Sequence, residues 1–219
     1  DAASQRMRVL QSMEQEHEGL GRAVKVVLTA SQPWRSRLCG AVGELCQIPS
    51  RFAVAIDVAL GGAVRYVVAE DERAAKQAIS YLKDRKAGRT TFLPLDTLRS
   101  RQRTADEEQA AGEPGMLGFA SDAISYDAKY EKVFSSLLGR TLLADTMDTG
   151  SAVARKYGHR LRIVCLDGTQ FNAGGSLTGG STRNQEGSLI SRRALLQELQ
   201  ETCRCGQQRL EALLAEGKD

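Results

Sequence analysis

The sequence predicts a mixed fold, α+β or α/β in class, in which two related subdomains are bracketed by helices that pair as an antiparallel coiled coil. Three observations carry this reading: apolar stripes of helical period at both ends, a repeat within the body, and a stretch with two glycine pairs that needs a partner.

The first stripe lies in residues 1–20. Ala3, Leu10, Met13, His17 and Leu20 fall on alternating three- and four-residue steps, with one polar miss at Arg6, while Gln, Glu and Arg make a solvated face. Gly19 and Gly21 end it. The second stripe runs from Ser188 through Leu189, Leu196, Leu199, Cys203, Leu210 and Leu213, with misses at Arg192 and Gly206. Neither can be buried alone, so the two ends are expected to pack on each other, with His17 in the seam.

The body repeats itself. Gly40 stands 21 residues before Gly61, and Gly118 stands 21 residues before Gly139. Between them, Phe52, Ala55, Ile56 and Ala59 have the spacing of a helix face, and Tyr130, Val133, Phe134 and Leu137 repeat it. Each helix stops at Leu-Gly. Each then leads to an apolar strand (63–69 and 141–144), an acidic turn with a helix (71–86 and 148–157), and a buried strand (90–95 and 160–166). In the helix at 71–86 the stripe is Ala75, Ala78, Ile79 and Leu82.

Two subdomains of common design follow. The division is an incoming arm at 1–20, subdomain I at 21–99, a linker at 100–114, subdomain II at 115–183 and an outgoing arm at 184–219. The linker is rich in Arg, Gln, Glu, Ala and Gly without periodicity and reads as a mobile surface loop, with Arg99, Arg101 and Arg103 a flexible charged surface.

After an expected tight turn at Asp167-Gly168, the chain returns as Thr169-Gln170-Phe171 and delivers the glycine stretch, 171–181. Gly174-x-x-x-x-Gly179-Gly180-Ser181 approaches a phosphate loop, but Gly180 stands where that pattern needs the Lys that reaches the β/γ-phosphates. A nucleotide- or small-ligand-binding α/β protein using the loop at 174–181 is the alternative reading. The favoured one is a sheet edge whose unpaired backbone groups recruit another chain. A symmetric version of that contact makes a homodimer.

Composition bounds the function classes. At 219 residues the chain is one large domain or two small ones, and 42% hydrophobic with 26% charged residues is the composition of a folded chain. A net charge of +3 means that a nucleic-acid role needs a local patch. No apolar run reaches the roughly 18 residues of a membrane span, and the opening Asp1-Ala-Ala-Ser-Gln-Arg-Met has no apolar signal core. Five cysteines without framework spacing fit reduced thiols.

Several motifs in order carry a family resemblance. Gly40-Ala-Val-Gly-Glu-Leu, Ala59-Leu-Gly-Gly-Ala, Gly88-Arg-Thr-Thr-Phe-Leu-Pro-Leu-Asp, Leu138-Gly-Arg-Thr, Arg162-Ile-Val-Cys-Leu-Asp-Gly and Gly174-Gly-Ser-Leu-Thr-Gly-Gly-Ser resemble the hinge domain of structural maintenance of chromosomes (SMC) proteins of bacterial type. The likeness runs from about Gly21 to Gly180, and the flanking helices resemble the hinge-proximal coiled-coil arms.

The resemblance implies two α/β subdomains that dimerise head to tail through two interfaces into a ring-like toroid. It places Gly174, Gly175, Gly179 and Gly180 in the dimer contact. It implies arms leading to ATPase heads that lie elsewhere, with ATP and magnesium bound there and no cofactor in this chain. It implies a kleisin and its partner subunit closing those heads, chromosome compaction and segregation in a cytoplasmic, nucleoid-associated setting, and a hinge that also binds DNA, single strands included. On this reading the chain is an assembly element and not a catalyst.

The residues themselves offer a DNA surface. Arg183, Arg192 and Arg193 lie where the hinge meets the outgoing arm, and Arg22 and Lys25 lie on the incoming side. Antiparallel pairing brings them into a basic rim, whose phosphate contacts would be strongly salt-dependent. The competing reading is a solvated face balanced by Glu186 and Glu198. The family's lysine-rich run after the glycines reads Ser181-Thr-Arg-Asn-Gln-Glu here.

Other chemistry is thin. His17 and His159 read as structural, and Cys203-Arg-Cys205 is unlike metal-ligand spacing. The absence of Cys-x-x-Cys argues against a zinc-hook apex. Glu70-Asp71-Glu72 reads as negative charge at a helix N-terminus, and Trp34 as a side chain anchoring a coil onto a domain more than as a base-stacking platform.

Overall fold

The computed structural model describes residues 2–15, 17, 19–180 and 188–216. Two arm helices, α1 (Ala2–Gln15) and α8 (Leu189–Glu216), lean on one another, and Met13 Sδ lies 3.9 Å from Arg192 Nη1. The end of α1 therefore meets the start of α8, so the pair is antiparallel, as the two stripes require.

The body is built twice. Subdomain I runs through α2 (Arg22–Leu28), β1 (Leu38–Ala41), β2 (Cys46–Gln47), α3 (Ala53–Leu60), β3 (Val67–Ala69), α4 (Glu72–Asp84) and β4 (Phe92–Pro94). Subdomain II follows α5 (Ala105–Ala111) with β5 (Met116–Phe119), β6 (Ser125–Tyr126), α6 (Glu131–Leu138), β7 (Thr141–Ala144), α7 (Met147–Lys156) and β8 (Arg162–Cys165). It then adds β9 (Gln170–Phe171) and β10 (Leu177–Thr178).

The first sheet has the order β1-β3-β4 and the second β10-β9-β8-β7-β5. In each, one antiparallel partner (β1 or β5) flanks a parallel pair (β3 and β4, or β7 and β8) joined by a crossover helix. The equivalent strands β2 and β6 pair with each other across the subdomains. Gln47 faces Ser125, and Ser125 holds the same place after Gly118 that Gln47 holds after Gly40, so a local two-fold relates the halves.

The crossover helices form for readable reasons. Asp71 caps α4 by accepting from Ala74 N at 2.8 Å, and Thr146 caps α7 by accepting from Thr149 N at 3.2 Å. The acidic run is thus a cap, and Arg37 pairs with Asp71. On α4, Ala74, Ala75, Ala78 and Leu82 are buried, whereas Ile79 of the expected stripe is exposed. The face is turned by part of a residue because Ala74 also packs inward.

One apolar core joins the halves. Ile56, Phe134, Leu138, Leu143 and Ile190 are fully buried in it, so the first turns of the outgoing helix belong to the body as much as to the arm. Gly43 makes room for that: a Cβ there would run into the side chains of Leu189 and Val64. Smaller cores lie beneath each sheet. Arg162 ties the halves again, donating from Nη2 to the Ala59 carbonyl at 2.8 Å.

Three expectations are corrected. The strand foreseen at 63–69 is strand only over Val67–Ala69, because the chain leaves α3 at Gly61 (φ 51°) into a 3-10 turn, Gly61–Arg65, that buries Ala63 and Val64. The linker at 100–114 is not a loop throughout, since it holds α5. There Thr104 and Glu107 form a capping box, and Glu107 is buried while accepting from Arg140 Nε at 2.8 Å. Arg103 is likewise fixed, 3.7 Å from the Phe119 ring centroid and donating to Asp122 at 2.8 Å and to the Gly139 carbonyl at 3.1 Å.

His17 is the third correction. It sits beyond α1 in a left-handed turn (φ 52°), not in a helical seam, and its Nδ1 lies 2.7 Å from Glu44. It pins the root of the incoming arm to the body.

Candidate functional site

The glycine stretch is a hairpin at the rim of the larger sheet. Its approach is set by the turn after β8, where Thr169 N donates to Asp167 Oδ1 at 2.8 Å and Gly168 packs near Val54 and Val58 of α3. β9 pairs with β8 and β10 pairs with β9, leaving β10 as the outermost strand among the described residues. Both its residues are exposed, and Leu177 shows 58% of its surface.

The loop between β9 and β10 is closed internally. Asn172 N donates to the Ser176 carbonyl at 2.9 Å and Gly175 N to the Asn172 carbonyl at 3.0 Å. Gly174 N donates at 2.8 Å to the carbonyl of His159, which docks the loop on the turn before β8. Gly174 (φ 96°), Gly175 (φ 92°) and Gly180 (φ 125°) occupy backbone conformations that L side chains rarely adopt.

Gly179 differs. Its φ is not positive, and a Cβ there would meet only Thr169 at an ordinary 3.6 Å. Among the described residues nothing requires glycine at that position. The hairpin also departs from a phosphate loop, because the loop joins two antiparallel strands instead of opening a helix.

The described residues of the expected basic rim face different surroundings. Arg192 is half-buried and turned toward Met13 and Gly19 between the arm roots. Arg193 lines a cleft with Glu44, Cys46, Tyr126 and Tyr130. Lys25 is half-buried on α2, and Arg183 lies outside the described residues. Arg22 instead faces a cleft with Arg65 and Arg89. These two partners were not legible as site residues, because three distant segments converge only in the fold.

Chemistry for catalysis is not assembled here. Burial pushes the Cys46 thiol up to about 11 and the Cys165 thiol up to about 12, and raises Cys39 as well, so these sulfurs are poor nucleophiles. His159 occupies a left-handed turn (φ 55°) as a loop support. Trp34 is buried edge-on against Tyr81 of α4 at 5.2 Å, so it packs within the first subdomain and does not tie an arm to it as the sequence reading expected. Among the described residues no group of three or more His, Cys, Asp or Glu side chains could hold a metal, and no helix is long and apolar enough to cross a membrane.

Residues 35–154 match the family model described as the SMC proteins flexible hinge domain. The chain is 43% identical over 203 residues to the chromosome partition protein Smc of Desulfitobacterium hafniense (strain Y51), covering 91% of this chain and 17% of that protein. It is 38% identical to the Smc of Bacillus subtilis (strain 168), covering 87% of this chain and 16% of that one. The chain thus spans about a sixth of the length of these curated relatives.

Among solved structures, an asymmetric dimer of the Geobacillus stearothermophilus SMC hinge domain superposes with a TM-score of 0.84 at 34% identity, covering 98% of this chain and 86% of that one. The Pyrococcus furiosus SMC hinge domain gives a TM-score of 0.60 at 32% identity, covering 81% and 89% respectively.

Proposed function

Because this chain belongs to the family of SMC flexible hinge domains, we propose that it pairs with a second copy of itself through the β9–β10 edge and so joins two coiled-coil arms into a ring or V. The observation that carries this is Gly179, a glycine that no described residue requires, on the flank of a strand whose outer edge has no partner among the described residues. Close approach by another backbone supplies the reason. Gly174, Gly175 and Gly180 hold the hairpin in the shape that presents it, and the exposed Leu177 gives the contact apolar area.

The parent protein, on this reading, is an ATPase of chromosome condensation and segregation that works on the nucleoid in the cytoplasm. Its heads bind ATP and magnesium, and a kleisin with its partner subunit closes them. DNA, single strands included, contacts the basic residues where the arms meet the hinge, with Arg22, Lys25, Arg183, Arg192 and Arg193 as the residues assigned. The Geobacillus stearothermophilus relative is described as a hinge dimer, which supports the pairing.

Hydrogen exchange tests the interface directly. Amides of residues 176–180 should exchange slowly at high protein concentration and fast on dilution, while those of β7 stay slow throughout. Concentration-independent exchange at 176–180 would contradict the proposal.

A further inference from the structure

We propose that the two arms are joined to the body in different ways, and that a latch between His17 and Glu44 holds the movable one. The outgoing helix α8 is a rigid extension of the core. The incoming helix α1 turns on a joint at Gly19, so arm movement starts in α1 while α8 keeps its direction. This goes beyond the pairing proposed above and is independent of it.

The outgoing side is built into the body. Ile190, Ala194 and Leu196 of α8 are buried, and Leu189 packs against both the core that joins the halves and the core beneath the first sheet. Ser188 caps the helix, its Oγ accepting from Ser191 N at 3.1 Å, and the same side chain hydrogen-bonds Asp57 of α3. A helix gripped by close-packed apolar contacts over its first two turns cannot change direction without opening them.

The incoming side is held differently. None of residues 3–13 is buried, and among the described residues the first buried one is Leu20, at 1% exposure. Between α1 and Leu20, His17 (φ 52°) and Gly19 (φ 89°) hold left-handed backbone. Gly19 can change φ at little cost because it has no Cβ, and a Cβ there would strike Arg192 Nη2 at 2.8 Å. His17 does have a Cβ, so its conformation is costly and persists only where a contact enforces it. That contact is Glu44, whose Oε1 lies 2.7 Å from His17 Nδ1. A carboxylate offers only lone pairs, so Nδ1 carries the proton of this bond. Glu44 is itself fixed: its Oε2 accepts from Ala41 N at 3.4 Å, and it closes the 3-10 turn Val42–Glu44 that leads into β2. Two residues on, Cys46 pairs with Tyr126 across the subdomains, so the latch ties the arm root to the segment entering that seam. Releasing α1 breaks this bond and relieves the turn, whereas releasing α8 opens the core.

Double electron–electron resonance on the whole chain tests the proposal. Spin labels are carried on ketone-bearing residues so that the native cysteines stay in place, and labelled chains are diluted with unlabelled ones so that only distances within one chain are read. One label stands at Lys83 on α4 and the other at Val9 on α1 or at Gln207 on α8, all exposed positions. The variants are H17A, which removes the hook, and E44A, which removes its acceptor; neither adds a flexible residue to the joint.

In both variants the 9–83 distance distribution should at least double in width, while the 207–83 distribution stays that of the parent. The parent's 9–83 distribution in either variant overturns the latch. Equal broadening at 207–83 overturns the division between a rigid and a movable arm. Melting curves confirm that each variant is folded, and if E44A is not, because Glu44 also serves Ala41 N, H17A decides the case alone.

Discussion

The backbone N–H of Gly174 donates a 2.8 Å hydrogen bond to the carbonyl of His159, which links the hairpin at the rim of the sheet to the turn that precedes its central strand. Both partners hold left-handed backbone, with φ of 96° and 55° respectively. Gly174→Val adds a branched side chain to a positive φ, and the expected cost is about 1–2 kcal/mol of stability. Urea unfolding measures it; an unchanged midpoint would contradict this account of the hairpin.

Gly179→Val should behave in the opposite way. Its φ is ordinary and among the described residues a Cβ there meets only Thr169 at 3.6 Å, so stability at a fixed low concentration should move by no more than about 0.5 kcal/mol. Self-association should weaken at least tenfold in sedimentation. Dimers of normal affinity in this variant would remove the role given to Gly179.

Glu107 fixes α5 twice, through the Thr104 backbone at 2.8 Å and through Arg140 Nε at 2.8 Å. Its carboxylate is buried, while the Arg140 side chain keeps 43% of its exposure and solvent screens part of the pair. Glu107→Ala should cost about 2 kcal/mol, and Glu107→Gln less because the amide can still accept from the cap. Chemical denaturation of the three proteins checks the order.

Two carboxyls should give pH profiles of opposite sign. Burial raises Asp57 above its ordinary 3.8, so the folded chain holds that proton more tightly and the site's contribution falls as pH rises through and above that value. Asp57→Asn should therefore be more stable than the parent at pH 7, with the difference closing in acid. Glu113 is held below its ordinary 4.5 by Lys156 and Tyr157, so its contribution is present above that value and is lost as pH falls. Glu113→Gln should thus be less stable than the parent at pH 7 and equal to it in acid. Melting temperatures from pH 3 to 7 decide both.

The repeat was legible because helix-face spacing and Leu-Gly stops recur at matched distances, and the strand at 141–144 falls where the apolar run placed it. α5 escaped for a physical reason. Only Glu107 and Ala110 of its residues are buried, too few to make a stripe, and the one available signal was the Thr104–Glu107 capping pair. Arg103 was misread because nothing local reveals a cation–π contact with Phe119. The edge position of the glycine stretch followed from the turn at Asp167-Gly168. The cleft of Arg22, Arg65 and Arg89 did not follow from sequence, since convergence of distant residues is a property of the fold.

The most direct measurement of the central claim is the solution mass across a dilution series, by sedimentation or light scattering. A mass near twice 23.8 kDa that gives way to monomer only at low concentration is the expected result, with the Gly179→Val chain shifted to monomer at higher concentration. A folded chain that stays at 23.8 kDa at every concentration would contradict the account.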